Sequence, residues 1–515
     1  MNIYNIIAII SAYLAAWVAI DASLEAKFAS ITQHPARDCP NDQAVQRLAQ
    51  FLQFQTISDS HSDDHIKSGH HAAFTSLLAF LREQYPEVHS QLQVEEVGLG
   101  GWSRLITWQG SDPQLKPILY ISHYDVVPVT PGTEPLWSHG PFNGSVADGF
   151  LWGRGALDVK LGVIGLLEAV TRLLARGWTP HRTIMLSFGH DEEVGGSGGA
   201  GEVAALLKTR GVQLECVVDE GGVVLLDGLK GLVAQPIALV GTAEKLYTSL
   251  HVDLVSPGGH SSMPPTDGSD IAGQAARLIT RLNAHPFPAR LREPLPSFLA
   301  AIAPYAPRIV RPLMAYSHVQ PLSWVLAQLL VRSGPELAAL VRTTHALTRM
   351  EAGVADNVLP NTGRLTLNLR SHPDSSRTAV LDHVTAALKA AGVHGATLSI
   401  SNASHIGPPG HVTASNTTYF EALRQAVQEH WRYADKAVAV APFLMSGGTD
   451  SKHFADLTEH GILRFVPVSV NKTAGELGSV HSTNERMRVA DVKLMVCTYA
   501  RMMELMAGAP GSPPS

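Results

Sequence analysis

Between residues 117 and 219 the chain reads PILYIS (117–122), LGVIGLLEAVTRLLARG (161–177), RTIMLSF (182–188), EVAALLKTRG (202–211) and ECVVD (215–219). The first, third and fifth runs are short, apolar, buried-strand patterns. The second and fourth are helical, and the longer of them ends on Gly177. Strand alternating with helix predicts an α/β fold: a largely parallel sheet covered by helices on both faces. Open sheets of this kind bind ligands outside the carboxyl ends of their strands. His123 follows PILYIS, Glu192 and Glu193 follow RTIMLSF, Asp219 ends ECVVD, and Asp158 stands where a helix should begin. The spacing therefore converges on one site.

Five of the polar residues along this path and beyond it suit metal ions: His123 in SHYD, Asp158 in GRGALD, Glu193 in HDEEVGG, Asp219 in VVDEGG and, far downstream, His481 in HSTNE. Three carboxylates and two imidazoles serve a pair of Zn²⁺ ions if one carboxylate bridges them. Two zinc ions, three carboxylates and one hydroxide sum to neutrality, as a water-activating centre at pH 7 requires. Asp125, two residues after His123, supplies the acceptor that a metal-bound imidazole needs on its second nitrogen. Taken singly, each residue has a plainer reading: Asp158 as a helix N-cap, Glu192 and Glu193 as a solvated turn, His481 as a surface histidine. Together, in order and at strand ends, they read as an enzyme's centre. The run GGSGG (195–199) matches the G-x-S-x-G pattern around Ser197, but His190, Asp191, Glu192, Glu193 and Val194 intervene after the strand, so it lacks the strand-to-elbow context of a serine nucleophile.

Composition describes a globular protein with a large core. The chain has 515 residues, 45% hydrophobic and 16% charged, enough for two domains. A net charge of −6 and the absence of basic blocks argue against a nucleic-acid partner. Three cysteines (Cys39, Cys216, Cys497) allow at most one bridge, and Cys216, in LECVV, reads as a buried inert thiol. Residues 3–20, IYNIIAIISAYLAAWVAI, carry no charge and read as an uncleaved signal anchor, the alternative being a signal peptide. Either reading sends the rest of the chain across a membrane into the secretory pathway. N-x-[ST] triplets at Asn143, Asn402, Asn416 and Asn471 fit a glycosylated lumenal or secreted protein.

From about residue 242 the pattern changes. TSLHVDLV alternates like an antiparallel strand, DIAGQAARLITRL is helical, GRLTLNLRS alternates, SSRTAVLDHVTAALKAAG is helical and ATLSISN is a last strand. The predicted organisation is a leader at 1–25 and a catalytic domain at 42–241 and 406–508. Between its halves lies an inserted α+β unit at 242–405, with a Pro-punctuated helical insert at 286–348, and a disordered tail occupies 509–515.

The segments HYDVVP, GRGALDVKLG, GHDEEVGG, DEGG, GGHSSMPP, SGGTDSKHF and HSTNE together resemble the dizinc aminoacylase and carboxypeptidase family over residues 42–505, in particular its carboxypeptidase S and N-fatty-acyl-amino-acid synthase/hydrolase branch. The resemblance implies a zinc-peptidase-like catalytic domain with a lid, which in dimeric relatives also makes the dimer contact. It implies that Asp158 bridges two zincs, with Glu193 and His481 completing one site and His123 and Asp219 the other. Glu192 is implied as general base, Asp125 as the residue orienting His123, and His260 as a lid histidine that polarises the substrate carbonyl. Asn357, Arg370 and the Gly448–Thr449 turn are implied as the pocket for the substrate carboxylate. The peptide bond after Asp158 is implied to be cis. Val159 stands where many relatives have a second Asp, and Leu246 where Gly is common; neither change removes a ligand. The function so implied is hydrolysis, or reversal of it, at the amide of an N-acyl amino acid with a free carboxylate. Trimming of peptides by a carboxypeptidase is the first alternative. An inactive scaffold is the second, although such a scaffold should have lost a ligand or the base, and none of the seven is missing.

Overall fold

A computed structural model describes residues 17–25, 28, 34–39, 43–401, 411–433 and 436–509. The apolar run up to residue 16, the triplet at Asn402 and the tail from residue 510 lie outside them. No helix among the described residues is long and apolar enough to cross a membrane.

The predicted strands form one large sheet. Its first strands are Gln93–Val97 (β1), Ser103–Trp108 (β2), Ile118–His123 (β3), Ile184–Gly189 (β4), Cys216–Asp219 (β5), Val224–Leu225 (β6) and Ile237–Glu244 (β7). The chain then leaves to build the inserted unit, the expected lid, from Leu246–Val255 (β8), Thr344–Ala352 (β9), Thr362–Ser371 (β10) and Thr397–Ile400 (β11). It returns with Ala439–Met445 (β12), Ile462–Arg464 (β13) and Ser469–Val470 (β14). The large sheet runs β1-β2-β4-β3-β5-β13-β7-β6-β14, with β12 also paired to β7. Its centre, β4-β3-β5-β13, is parallel, and β1 and β2 add an antiparallel edge. Every residue of β3, β4 and β5 is buried, because helices cover both faces and leave no polar side to alternate with.

On one face lie Ala44–Phe51 (α1), His71–Gln84 (α2), Lys160–Ala175 (α3) and, from the far end of the chain, Thr418–His430 and Val489–Ala507. The opposite face is covered by Ala200–Thr209 (α4), whose Val203 and Leu207 pack with Leu119, Val217 and Phe454. A disulfide joins Cys39 to Cys497 on the last of these helices, with the Cα atoms 6.0 Å apart. Cys216 is buried in β5, and burial pushes its thiol up to about 12, as an inert core sulfhydryl should be.

The lid is an antiparallel sheet in the order β9-β10-β8-β11 with a core of its own, in which Leu250, Val252 and Leu367 meet Leu278 and Val384. Its helices are Ile271–Ala284 (α5), capped by Asp270, and a second, Arg377–Ala390, capped by Ser376. The edge strand β9 falls where the pattern predicts the end of the helical insert; it is largely exposed and carries a bulge between Leu347 and Arg349.

The insert lies between lid elements in sequence but packs elsewhere. It comprises Leu295–Ile302 (α6), Arg311–Ala315 (α7), Leu322–Arg332 (α8) and Pro335–Val341 (α9). Phe298 and Ile302 of α6 belong to the core of the catalytic sheet, and the Phe298 ring meets Phe443 of β12 edge to face at 6.0 Å. A helix buries its apolar stripe on whichever surface is uncovered, and here that surface is the open flank of β12.

Candidate metal centre and active site

The carboxyl ends of β3, β4 and β5 build the floor of the site. His123 closes β3, and its Nδ1 lies 3.1 Å from the Asp125 carbonyl oxygen and 3.2 Å from Asp125 Oδ1. The buried Asp125 carboxylate also accepts the backbone N–H groups of Glu192 and Glu193, each at 3.1 Å. One aspartate thus fixes both the imidazole and the turn that carries the two glutamates.

His123 Nε2 is left facing acids: Glu220 Oε1 at 3.3 Å, Asp158 Oδ1 at 3.4 Å and Glu192 Oε2 at 3.9 Å. On the other side, His481 Nε2 lies 2.8 Å from Asp158 Oδ2 and 3.1 Å from Glu193 Oε2. Asp158 therefore turns one oxygen to each imidazole. The Asp158–Val159 peptide bond is cis, as the resemblance implies. Glu485, the last residue of HSTNE, is a buried brace that sequence reasoning missed. It accepts the N–H groups of Leu157 and Asp158 through Oε1, at 2.8 and 3.2 Å, and pairs with Arg154 through Oε2 at 2.7 Å.

Glu220 is the acid that faces His123, at 3.3 Å, whereas the resemblance implies Asp219 in that place. Successive strand side chains point to opposite faces, and Asp219 at the end of β5 uses Oδ2 to accept the Ser451 N–H at 2.8 Å. The signal was the dipeptide Asp219–Glu220 itself, one of which had to face the site. The GGSGG run has a backbone role: a side chain on Gly196 would overlap Asp450 and one on Gly199 would overlap Asp191, while Ser197 is exposed.

The expected substrate residues fall into two groups. Arg370, on β10, stacks over the Tyr247 ring at 4.8 Å and reaches 3.5 Å from the Ser446 carbonyl, beside the Gly448–Thr449 turn. The Thr449 N–H donates to Glu244 at 3.3 Å, and Gly448 faces open space. His260 and Asn357 sit side by side on the lid, both exposed, with the Ser261 N–H donating to the Asn357 carbonyl at 3.1 Å. His260 Nδ1 lies 2.8 Å from Ser262 Oγ. Among the described residues, no hydrogen bond or ion pair joins either group to the acid cluster.

Charge crowding dominates the centre. Burial and neighbouring carboxylates push Glu193 up to about 7 and Glu220 up to about 8, and burial drives Glu192 well above the carboxylate range. Burial alone would raise Asp158, but the imidazoles of His123 and His481 beside it outweigh burial and hold the group low. Bonds to Asp158 and Glu193 push His481 up to about 10. Buried His123 Nε2 and Glu193 Oε1 have no hydrogen-bond partner, a costly arrangement for polar atoms unless something else satisfies them. His123, Asp158 and Glu220 form one set of potential ligand atoms within 4.8 Å of one another, and Asp158, Glu193 and His481 form another. Cations fit both sets: they relieve the like-charge repulsion and use the orphaned atoms, and oxygen with imidazole nitrogen is a donor set that suits zinc.

An α/β sheet carrying such a centre at its strand ends defines a metal-dependent hydrolase. The peptidase family M20/M25/M40 matches residues 119–505, and the chain belongs to it. The probable carboxypeptidase S-like 2 of Dictyostelium discoideum is 32% identical over 466 residues, covering 89% of this chain and 84% of that protein. The N-fatty-acyl-amino acid synthase/hydrolase PM20D1 of Xenopus tropicalis is 33% identical over 467 residues, covering 90% and 85%. Among solved structures, the M20 family metallo-carboxypeptidase of Sulfolobus solfataricus superposes with a TM-score of 0.61 at 17% identity, over 90% of this chain and 99% of that one, and so shares the fold.

Proposed function

We propose that the chain hydrolyses the amide bond of N-acyl amino acids that carry a free carboxylate, with two zinc ions held by His123, Asp158 and Glu220 and by Asp158, Glu193 and His481. The observation that carries this reading is Asp158, one oxygen 3.4 Å from His123 and the other 2.8 Å from His481, with Glu192 beside them. Zinc, when bound, supplies Lewis acidity for the carbonyl and for water. Glu192 takes the proton of the attacking water and delivers it to the leaving nitrogen, from a largely buried position beside His123 and Asp158. Asp125 holds Glu192 in place through its backbone N–H. The same proton transfers run backwards when acid and amine are abundant, so condensation uses the same residues.

The substrate's carboxylate goes to Arg370, whose planar guanidinium offers two parallel donors beside the open Gly448–Thr449 turn. Names of two relatives, a carboxypeptidase and a fatty-acyl-amino-acid hydrolase, support a substrate with such a terminus. Losing a hydrogen-bonded charge costs about 1.5–3 kcal/mol. Arg370→Ala is therefore expected to lower kcat/KM by roughly 10- to 100-fold, with Arg370→Lys recovering part, and amidated substrate should suffer a similar loss on the parent enzyme. Equal cleavage of carboxylate and amide forms removes Arg370 from this role. A preference for peptides over long-chain N-acyl amino acids moves the chain to the carboxypeptidase reading.

The chain works in an oxidising compartment of the secretory pathway or outside the cell. The Cys39–Cys497 disulfide supports this, since such bridges persist where thiols are not kept reduced. Alkylation of the chain taken from intact cells and denatured without reductant is expected to mark Cys216 alone; labelled Cys39 and Cys497 would place it in a reducing compartment.

A further inference from the structure

Helix α8 is apolar on two faces: Leu326, Leu330 and Val331 pack against the core around Ala327, and a second apolar face points away from it. The helix buries Ser323 (4% exposed) and Ala327 (0%) and turns Trp324 (60%), Val325 (41%) and Leu329 (51%) outward. A surface helix normally points its large apolar residues inward, so this face has the composition of one that is covered by something else. Residues 286–342, which contain it, hold six arginines and only two glutamates, in a chain whose net charge is −6. Arg290 and Arg332 are exposed and have no carboxylate partner among the described residues. Trp324 also walls a cavity of about 420 Å³ together with Phe287, Arg290 and Arg342, apolar surface beside cations.

The position of this face in the chain narrows what covers it. Residues 17–25 are helical and are tied to the insert by acids one turn apart: Glu25 pairs with Arg308 and lies 3.5 Å from Arg311, and Asp21 lies 3.9 Å from Arg308. Ile309 (73%) and Val18 (66%), near these ion pairs, are also exposed. The uncharged run of residues 3–20 leads directly into this short helix. A second copy of the chain is a poor occupant, because a two-fold contact sets a patch against itself and would oppose arginine to arginine.

We propose that this face of the insert docks on the surface of a phospholipid bilayer. Trp324, Val325 and Leu329 enter the boundary between headgroups and acyl chains, where Trp is favoured. Arg290 and Arg332 meet the phosphates. The docking rests on the insert alone and holds whichever substrate the metal centre takes.

The test uses the full chain and vesicles of phosphatidylcholine, with or without phosphatidylserine, followed by flotation. The double variant Trp324→Glu/Leu329→Glu is expected to partition at least about tenfold more weakly while keeping its thermal midpoint. Arg332→Glu should lose the preference for phosphatidylserine. In a Trp17→Phe background, vesicles with brominated acyl chains should quench part of the tryptophan fluorescence, and adding Trp324→Phe should remove that part, a readout to which residues 3–20 contribute no tryptophan. Unchanged partition of the charged variants, or unchanged quenching in Trp324→Phe, overturns the proposal. Loss of a dimer in the double variant with vesicle binding intact assigns the face to a second copy instead.

Discussion

Glu192→Gln is expected to keep its metal and to lose at least about 10²-fold in kcat, the low end for removal of a general base. Gln has nearly the same shape, so Asp125 should still receive the backbone N–H of residue 192 and the turn should not move. Neither potential ligand set includes Glu192, whose nearest recorded approach to an imidazole is 3.9 Å, against 3.4 Å or less for Glu220 and Asp158. Metal content by elemental analysis and turnover of the same preparation are the two measurements needed. A metal-loaded Glu192→Gln protein with near-parental turnover would falsify the assignment of the base. Loss of metal together with turnover would make Glu192 a ligand rather than a proton carrier.

The second large effect separates neighbours. Glu220→Gln removes the carboxylate that faces His123 at 3.3 Å, and metal bound there should fall away. Zinc content is expected to drop from two ions towards one, with at least about 10²-fold loss of activity, since the water-activating centre is incomplete. Asp219→Asn leaves that geometry alone and only weakens the acceptor of the Ser451 N–H. A supporting position of this kind is expected to cost about 10-fold, within the range for residues that brace metal ligands. If Asp219→Asn sheds an ion and Glu220→Gln does not, the ligand assignment is inverted.

This pair also marks how far the sequence could be read. PILYIS, RTIMLSF and ECVVD are recognisable as strands because they are short, apolar and separated by helical runs, and His123, Glu192 and Glu193 stand at their ends as expected. The same burial hides which of Asp219 and Glu220 faces His123. A strand covered on both sides shows no polar alternation from which to take a face. Strand β9 was missed for the opposite reason: as an exposed, bulged edge it keeps no period of two. The helices of the insert are plain from their apolar spacing, yet nothing in that spacing says that Phe298 lies against Phe443 rather than against the lid. Glu485 acts on Leu157 and Asp158 from more than 300 positions away, a partnership that only the folded chain reveals.

The Cys39–Cys497 bond makes the polypeptide a covalent ring that encloses nearly the whole described chain. The catalytic sheet takes strands from both sides of the lid, β1 to β7 before it and β12 to β14 after it. A protease that cuts one exposed loop inside the ring, for instance in the lid, opens the backbone without releasing a fragment. Both portions of the sheet stay linked through the bridge, so a once-nicked molecule migrates as a single species until a reductant parts it into two.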